Sequence, residues 1–191
     1  VPNLADAYLA GGVRLLQVRC KNASSDVFLS SCEEVVSRAR QAGALVIVND
    51  RADIAKLAGA DGVHVGQDDL DPVSVRRLLG SSAIIGLSTH SADQVDAAMK
   101  LPVDYIAVGP VFGTTTKDTG YREVGTRLVS EAARILRDAG SAQPLVAIGG
   151  ITLERAPDVM RAGAASVAVI SDLLSTGDPE GRVREYLRAL T

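Results

Sequence analysis

The 191-residue chain has no Trp, two Phe, four Tyr, two Cys and two His. Aromatics at 3% argue against a Tyr-rich recognition surface. Cys20 and Cys32 lie at a strand end and in a helix, without metal-ligand spacing, and read as reduced cytosolic thiols. No apolar run approaches the ~18 residues of a membrane span, so no membrane partner is expected. Nothing at the start resembles a signal peptide, and the abrupt Val1-Pro2 opening suggests that a beginning is missing. A net charge of −3 gives no field for nucleic acid, so any phosphate binding has to be local.

What is present is small and aliphatic. Hydrophobic residues are 47% of the chain, with Ala, Val, Leu and Ile as the fillers, and 18 Gly accompany them. That composition suits parallel strands packed tightly under helices. The length fits one domain, 1–191.

Short β-branched runs alternate with helical stretches. The expected strands are Val13–Arg19, Leu45–Asp50, Gly62–Gly66, Ala83–Ser88, Tyr105–Gly109, Leu145–Gly149 and Ser166–Ile170. After the short opening helix Leu4–Ala10, helices are expected at Asp26–Ala42, Arg51–Ala58, Pro72–Leu79, Ala92–Lys100, Val129–Ala139, Ala156–Ala162 and Pro179–Ala189. Ala-Gly pairs at 42–43, 58–59, 139–140 and 162–163 mark helix ends. Strict β-then-α order implies a parallel sheet with right-handed crossovers. The chain opens in a helix that should follow a strand. Restoring that strand gives eight, so the expected fold is an α/β (β/α)8 TIM barrel whose first strand is missing. An open doubly wound sheet is the rival, but it would gather ligands at one switch point, whereas polar residues here decorate nearly every strand end.

In such a barrel the site lies at the C-terminal strand ends. Gln17, Arg19 and Lys21 alternate onto one face, where a guanidinium and an ammonium could clamp a pyrophosphate. Asn49-Asp50-Arg51 and Gly66-Gln67-Asp68-Asp69 end the next two strands. Acids facing those cations suit a Mg2+ held by one or two carboxylates and substrate oxygens, with Asp50 and Asp69 the chosen ligands. Asp53 and Asp68 read as caps or first-turn acids. Ser88 or Thr89 could donate to phosphate or cap the following helix. His90 has an acid or base reading beside a structural one, and His64 reads as a core or barrel-layer residue. Neither has a nucleophile partner, so a hydrolytic triad is unsupported. The hydroxyl-rich run Gly109–Lys117 reads as a substrate lid. Gly149-Gly150 and Ser171 close the last two strands, where barrels of this type hold phosphate through backbone N–H groups.

Taken in order, these segments resemble the thiamine-phosphate synthase (thiamine-phosphate pyrophosphorylase) family. The matches are Gln17-x-Arg19-x-Lys21, Asn49-Asp50-Arg51-x-Asp53, Ala60-Asp61-Gly62-Val63-His64-x-Gly66-Gln67-x-Asp69 and Gly86-x-Ser88-x-His90. They continue with Asp104-Tyr105-x-x-x-Gly109-Pro110-x-Phe112-x-Thr114-x-Thr116-Lys117, Ile148-Gly149-Gly150-Ile151 and Ser166–Ser171, covering nearly the whole chain. The resemblance implies a transferase that couples hydroxymethylpyrimidine pyrophosphate to hydroxyethylthiazole phosphate with Mg2+ as cofactor. Pyrophosphate leaves first, and the thiazole nitrogen captures the resulting pyrimidinylmethyl cation. It implies catalytic roles for Arg19, Lys21, Ser88 and Lys117, with Asn49 also on the pyrophosphate. Gln17 would position the pyrimidine, and Thr114 and Thr116 would touch the thiazole. Gly149, Gly150, Ile170 and Ser171 would cradle its phosphate, with Asp50 and Asp69 holding Mg2+. The expected partners are small phosphorylated molecules, in the cytoplasm or a plant plastid stroma. A homo-oligomer and an upstream fused domain are left open. Gly113 departs from the family's frequent Pro. A thiazole tautomerase of the same fold is the nearest rival, although it would not need the full cation and Mg2+ set. A non-catalytic binder of thiamine intermediates is the other.

Overall fold

A computed structural model describes residues 1–113 and 122–190. The chain begins with helix α1 (Pro2–Gly11) and then alternates strand with helix: β1 (Leu15–Val18), α2 (Ser25–Gln41), β2 (Leu45–Asn49), α3 (Ala52–Ala58), β3 (Gly62–Val65), α4 (Pro72–Leu79), β4 (Ile84–Thr89) and α5 (Ala92–Ala98). It continues with β5 (Tyr105–Val108), α6 (Gly125–Asp138), β6 (Leu145–Ile148), α7 (Ala156–Arg161), β7 (Ser166–Ala168), a short 3-10 helix (Ser171–Leu174) and α8 (Pro179–Leu190). The seven strands are all parallel and pair in chain order from β1 to β7.

Strand alternation divides the residues between two faces. Leu16, Val18, Val46, Val48, Val63, Val65, Ile85, Leu87, Ile106 and Val108 point out under the helices, and all are buried. Each helix answers with a matching stripe. In α2 the buried residues Phe28, Cys32, Val35, Val36 and Ala39 recur at helical spacing, and every one is core. Burying each large aliphatic stabilises the fold by roughly 1.5–3 kcal/mol. In α4, Pro72 takes the first turn while the Asp71 carboxylate accepts from the N–H groups of Val73 and Ser74, both at 3.0 Å.

The inward face changes character around the sheet. Ile47, Asn49, His64, Ser88 and Ala107 in β2–β5 are buried. Toward the edges, Leu15 in β1 and Ile170 after β7 are each 52% exposed. The architecture is therefore a curled parallel half-barrel with β1 and β7 as its edges. The outer layer does meet across that seam. α1 packs on α8, where Gly11 lets Val183 come so near that a Cβ would lie 2.7 Å from it.

Element boundaries shift modestly from those expected. The edge strands are shorter at their ends, Leu15–Val18 and Ser166–Ala168, because each has a pairing partner on one side only. Helix α6 starts at Gly125, four residues before the first apolar residue of its stripe, Val129. The left-handed glycines 43, 59, 140 and 163 follow the helix ends as the Ala-Gly pairs require.

Candidate active site

The polar residues read from the sequence collect at the C-terminal ends of the strands. Parallel pairing sets Val18 beside Val48, Asn49 beside His64, His64 beside Gly86, and Ser88 beside Ala107. Gln17, Asn49, His64, Ser88 and Tyr105 therefore share the inward face, with Arg19 following on from β1.

At its centre is a hydrogen-bonded chain. His64 Nδ1 is 2.8 Å from the Tyr105 hydroxyl and His64 Nε2 is 2.7 Å from the Ser88 hydroxyl. Gln17 also bonds the Tyr105 hydroxyl, linking β1 to β5 across the interior. The Gln67 side-chain amide donates to the Ser88 carbonyl at 2.6 Å. Burial pushes the Tyr105 phenol well above its ordinary value, and the bond from Gln17 only partly offsets this, so it stays neutral. Gly86 makes the arrangement possible, since a Cβ there would lie 2.0 Å from the Tyr105 ring. Tyr105 belongs to the motif that carries the resemblance, yet the motif alone assigns it no role. The signal was there in the alternation of β5, which turns this aromatic inward with Ala107.

Charge gathers above this chain. Arg19 has two guanidinium nitrogens, Nε and Nη2, that are buried and have no hydrogen-bond acceptor among the described residues. Lys21 is exposed, whereas Asn49 is buried. Asp50 directly follows β2, with φ of 62° and a buried Oδ1, and its N–H donates to the His64 carbonyl at 2.8 Å. Asp69 is exposed, and its Oδ2 accepts from the Gly66 N–H at 2.7 Å. Asp53 sits in the first turn of α3 and pairs with Arg51 at 2.6 Å, which holds its carboxyl below the usual range. Among the described residues no group of three or more His, Cys, Asp or Glu side chains could hold a metal.

On the far side, Gly149 and Gly150 adopt φ of 91° and 62°. The Val111 and Phe112 N–H groups donate to the Ile148 and Gly149 carbonyls at 2.9 and 3.1 Å. A Cβ on Gly150 would stand 2.6 Å from the Gly113 carbonyl oxygen, so both the backbone angle and the close approach call for glycine. Ile170 and Ser171 are exposed at the start of the short 3-10 helix. His90 Nδ1 bonds the Gly109 carbonyl and its N–H donates to the Gln94 side chain at 2.7 Å. The expected Thr114, Thr116 and Lys117 lie outside the described residues.

A family model described as thiamine monophosphate synthase matches residues 1–173. The chain belongs to that family. It is 45% identical over 188 residues to the thiamine-phosphate synthase of Koribacter versatilis (strain Ellin345), covering 98% of this chain and 85% of that protein. It is 44% identical over 179 residues to the thiamine-phosphate synthase of Chlorobium luteolum, covering 94% and 82%. The solved structure of thiamine phosphate pyrophosphorylase from Pyrococcus furiosus superposes with a TM-score of 0.89 at 28% identity, covering 98% of this chain and 88% of that one. No helix among the described residues is long and apolar enough to cross a membrane. Family membership accounts for polar residues at strand end after strand end.

Proposed function

We propose that this family member is itself a thiamine-phosphate synthase, joining hydroxymethylpyrimidine pyrophosphate to hydroxyethylthiazole phosphate with release of pyrophosphate. The observation that carries this reading is Arg19, whose Nε and Nη2 are buried without an acceptor among the described residues. Buried donors left unmatched cost about 1–3 kcal/mol or more, and an anionic ligand is what removes that cost. The naming of relatives at 45% and 44% identity supports the choice of reaction.

In this reading the bond between the pyrimidine methylene carbon and the pyrophosphate oxygen breaks first, and its electron pair leaves with the pyrophosphate. The thiazole nitrogen then forms the new carbon–nitrogen bond. Arg19, Lys21, Asn49 and Lys117 take up the departing charge, and Ser88 supports them from its place against His64. Gln17 aligns the pyrimidine through its link to Tyr105, and Thr114 and Thr116 contact the thiazole. Gly149, Gly150, Ile170 and Ser171 hold the acceptor's phosphate, the first two offering a main chain that can be approached closely. Such chemistry needs stabilised charge and alignment, and no protein nucleophile.

Mg2+ belongs to the same reading. Two hard carboxylate donors, Asp50 with its buried Oδ1 and Asp69 in the loop after the adjacent strand, fit an ion that completes its shell with water and substrate oxygens. When bound, Mg2+ would neutralise the pyrophosphate. Closure into an eight-stranded barrel, by a strand between β7 and β1, is also proposed. Exposed Leu15 and Ile170 support it as apolar residues that such a strand would cover. A cytoplasmic location accompanies the proposal.

The test is pyrophosphate release from the pyrimidine pyrophosphate, with and without thiazole phosphate and Mg2+, on a chain extended at its N-terminus. Release that requires both, with thiamine phosphate formed, is expected. Tight thiazole-phosphate binding without release would overturn the synthase reading in favour of an isomerase or a binder.

A further inference from the structure

Two loops have to stand at a fixed spacing if they are to share one phosphate: the β6–α7 turn with Gly149 and Gly150, and the Ile170–Ser171 segment after β7. One carboxylate oxygen ties them together. Asp172 Oδ2 accepts from the Leu153 N–H at 3.1 Å, from Arg182 Nε and Nη2 at 3.2 and 2.9 Å, and from the Tyr186 hydroxyl at 2.7 Å. Leu153 belongs to the first loop, Asp172 directly follows Ser171 in the second, and Arg182 and Tyr186 lie one turn apart on α8. The Tyr186 hydroxyl reaches the Ile151 carbonyl as well, at 3.5 Å.

This cluster differs from the ion pairs elsewhere on the protein. The Asp172 and Arg182 side chains are 11% and 16% exposed, whereas Arg134 and Asp138 on α6 are 58% and 56% exposed. Burial alone would push the Asp172 carboxyl up, yet Tyr186, the Leu153 N–H and Arg182 outweigh it and hold the group below its ordinary range. A carboxylate with four donors converging on one oxygen restrains all the segments that supply them.

We propose that Asp172 is a positioning residue for the phosphate-bearing acceptor, setting the spacing of the Gly149-Gly150 turn and Ser171 against α8. The inference rests on the reading above that these two loops take that phosphate. Asp172 itself touches no substrate. Its carboxylate already serves four donors, and its effect passes through the backbone on both sides of the site.

The experiment compares Asp172→Asn with the parent protein for both Michaelis constants, kcat and thermal midpoint, and measures thiazole-phosphate binding by calorimetry. The neutral amide keeps the shape but removes the charge facing Arg182. The KM and Kd for thiazole phosphate should rise by about tenfold, on the scale of one charged hydrogen bond. The pyrimidine-pyrophosphate KM and kcat at saturation should stay within about twofold, the signature of lost binding at one end only. Val183→Ala, in the same helix and 2% exposed, is the control for a general loss of stability. It should lower the midpoint and leave both KM values alone. Equal shifts in the two KM values, or a control that moves the thiazole-phosphate KM as much, would reduce Asp172 to a structural ion pair and overturn the proposal. If Asp172→Asn does not fold, Tyr186→Phe removes one donor and should raise the same KM a few-fold. No change there overturns the proposal too. A parent protein that forms no thiamine phosphate would fail the synthase reading alone, because the calorimetric comparison still decides the role of Asp172.

Discussion

The rings of His64 and Tyr105 stack with centroids 5.5 Å apart and planes inclined by 24°, while the Tyr105 hydroxyl bonds His64 Nδ1 at 2.8 Å. A contact of this kind fixes the imidazole both in tilt and about its own axis, and its other nitrogen carries that orientation to Ser88. Tyr105→Phe keeps the stack and deletes the hydroxyl, leaving a buried ring nitrogen and the Gln17 amide short of a partner. Destabilisation of about 1–3 kcal/mol is expected from denaturant unfolding. The KM for the pyrimidine substrate should rise with it. Unchanged values of both would show that the chain of bonds from Gln17 to Ser88 is idle.

Arg19→Gln should separate activity from stability. The native guanidinium brings two buried nitrogens with no acceptor among the described residues, so its removal relieves an unmatched burial and breaks no hydrogen bond of theirs to those residues. The thermal midpoint is expected to stay level or rise. In contrast, kcat/KM should fall by about ten- to a hundredfold, the loss of one charged hydrogen-bonding group to an anion. A parallel drop in midpoint and activity would mean that Arg19 is a structural residue.

Much of this was legible in the sequence because the sheet separates its residues so sharply. Val46, Val48, Val63 and Val65 are fully buried, and such β-branched residues under helices produce the short apolar runs that mark strands. The strand-end reading likewise names Gln17, Asn49 and Ser88, which the pairing register brings onto one inward face. The Asp172 cluster was not legible, because Arg182 and Tyr186 lie ten and fourteen residues along the chain and no local pattern relates them. Nor was the 3-10 turn Ser171–Leu174, whose four residues are too few for any periodicity. In sequence, Ser88 reads as a hydroxyl that could donate to phosphate or cap a helix. Its engagement with His64 depends on register between neighbouring strands, which composition does not reveal.

Asp50 offers a test in which backbone and chemistry pull apart. Its φ of 62° lies in the left-handed region, which Asn tolerates and Ala resists. Asp50→Asn should therefore keep the thermal midpoint nearly unchanged, while Asp50→Ala should cost about 1 kcal/mol or more from strain. If Asp50 binds Mg2+, both variants lose turnover to a similar extent, at least about tenfold, and both need more Mg2+ to recover what remains. Activity that tracks the midpoint across the two variants would place Asp50 among the folding residues.

Cys32 supplies the last prediction, on the alkaline side. Its side chain is 0% exposed within the stripe of α2, while Cys20 is half-buried. Burial, with smaller contributions from Cys20 and Glu33, pushes the Cys32 thiol up to about 12 from an ordinary 9.0. The unfolded chain thus ionises this thiol before the folded one does. The stability it confers is fully present below pH 9.0 and is lost as the pH rises from there towards about 12. The slope is at most about 1.4 kcal/mol per pH unit. Other groups titrate in that range, so the parent must be compared with Cys32→Ala. The stability difference between the two in denaturant should be constant from pH 7 to 8.5 and narrow steadily above pH 9. A difference that stays constant to pH 11 would mean that the thiol ionises in the folded protein as readily as in the unfolded one. Native-state alkylation at pH 8 gives an independent check, with one modified thiol expected before unfolding, at Cys20, and two afterwards.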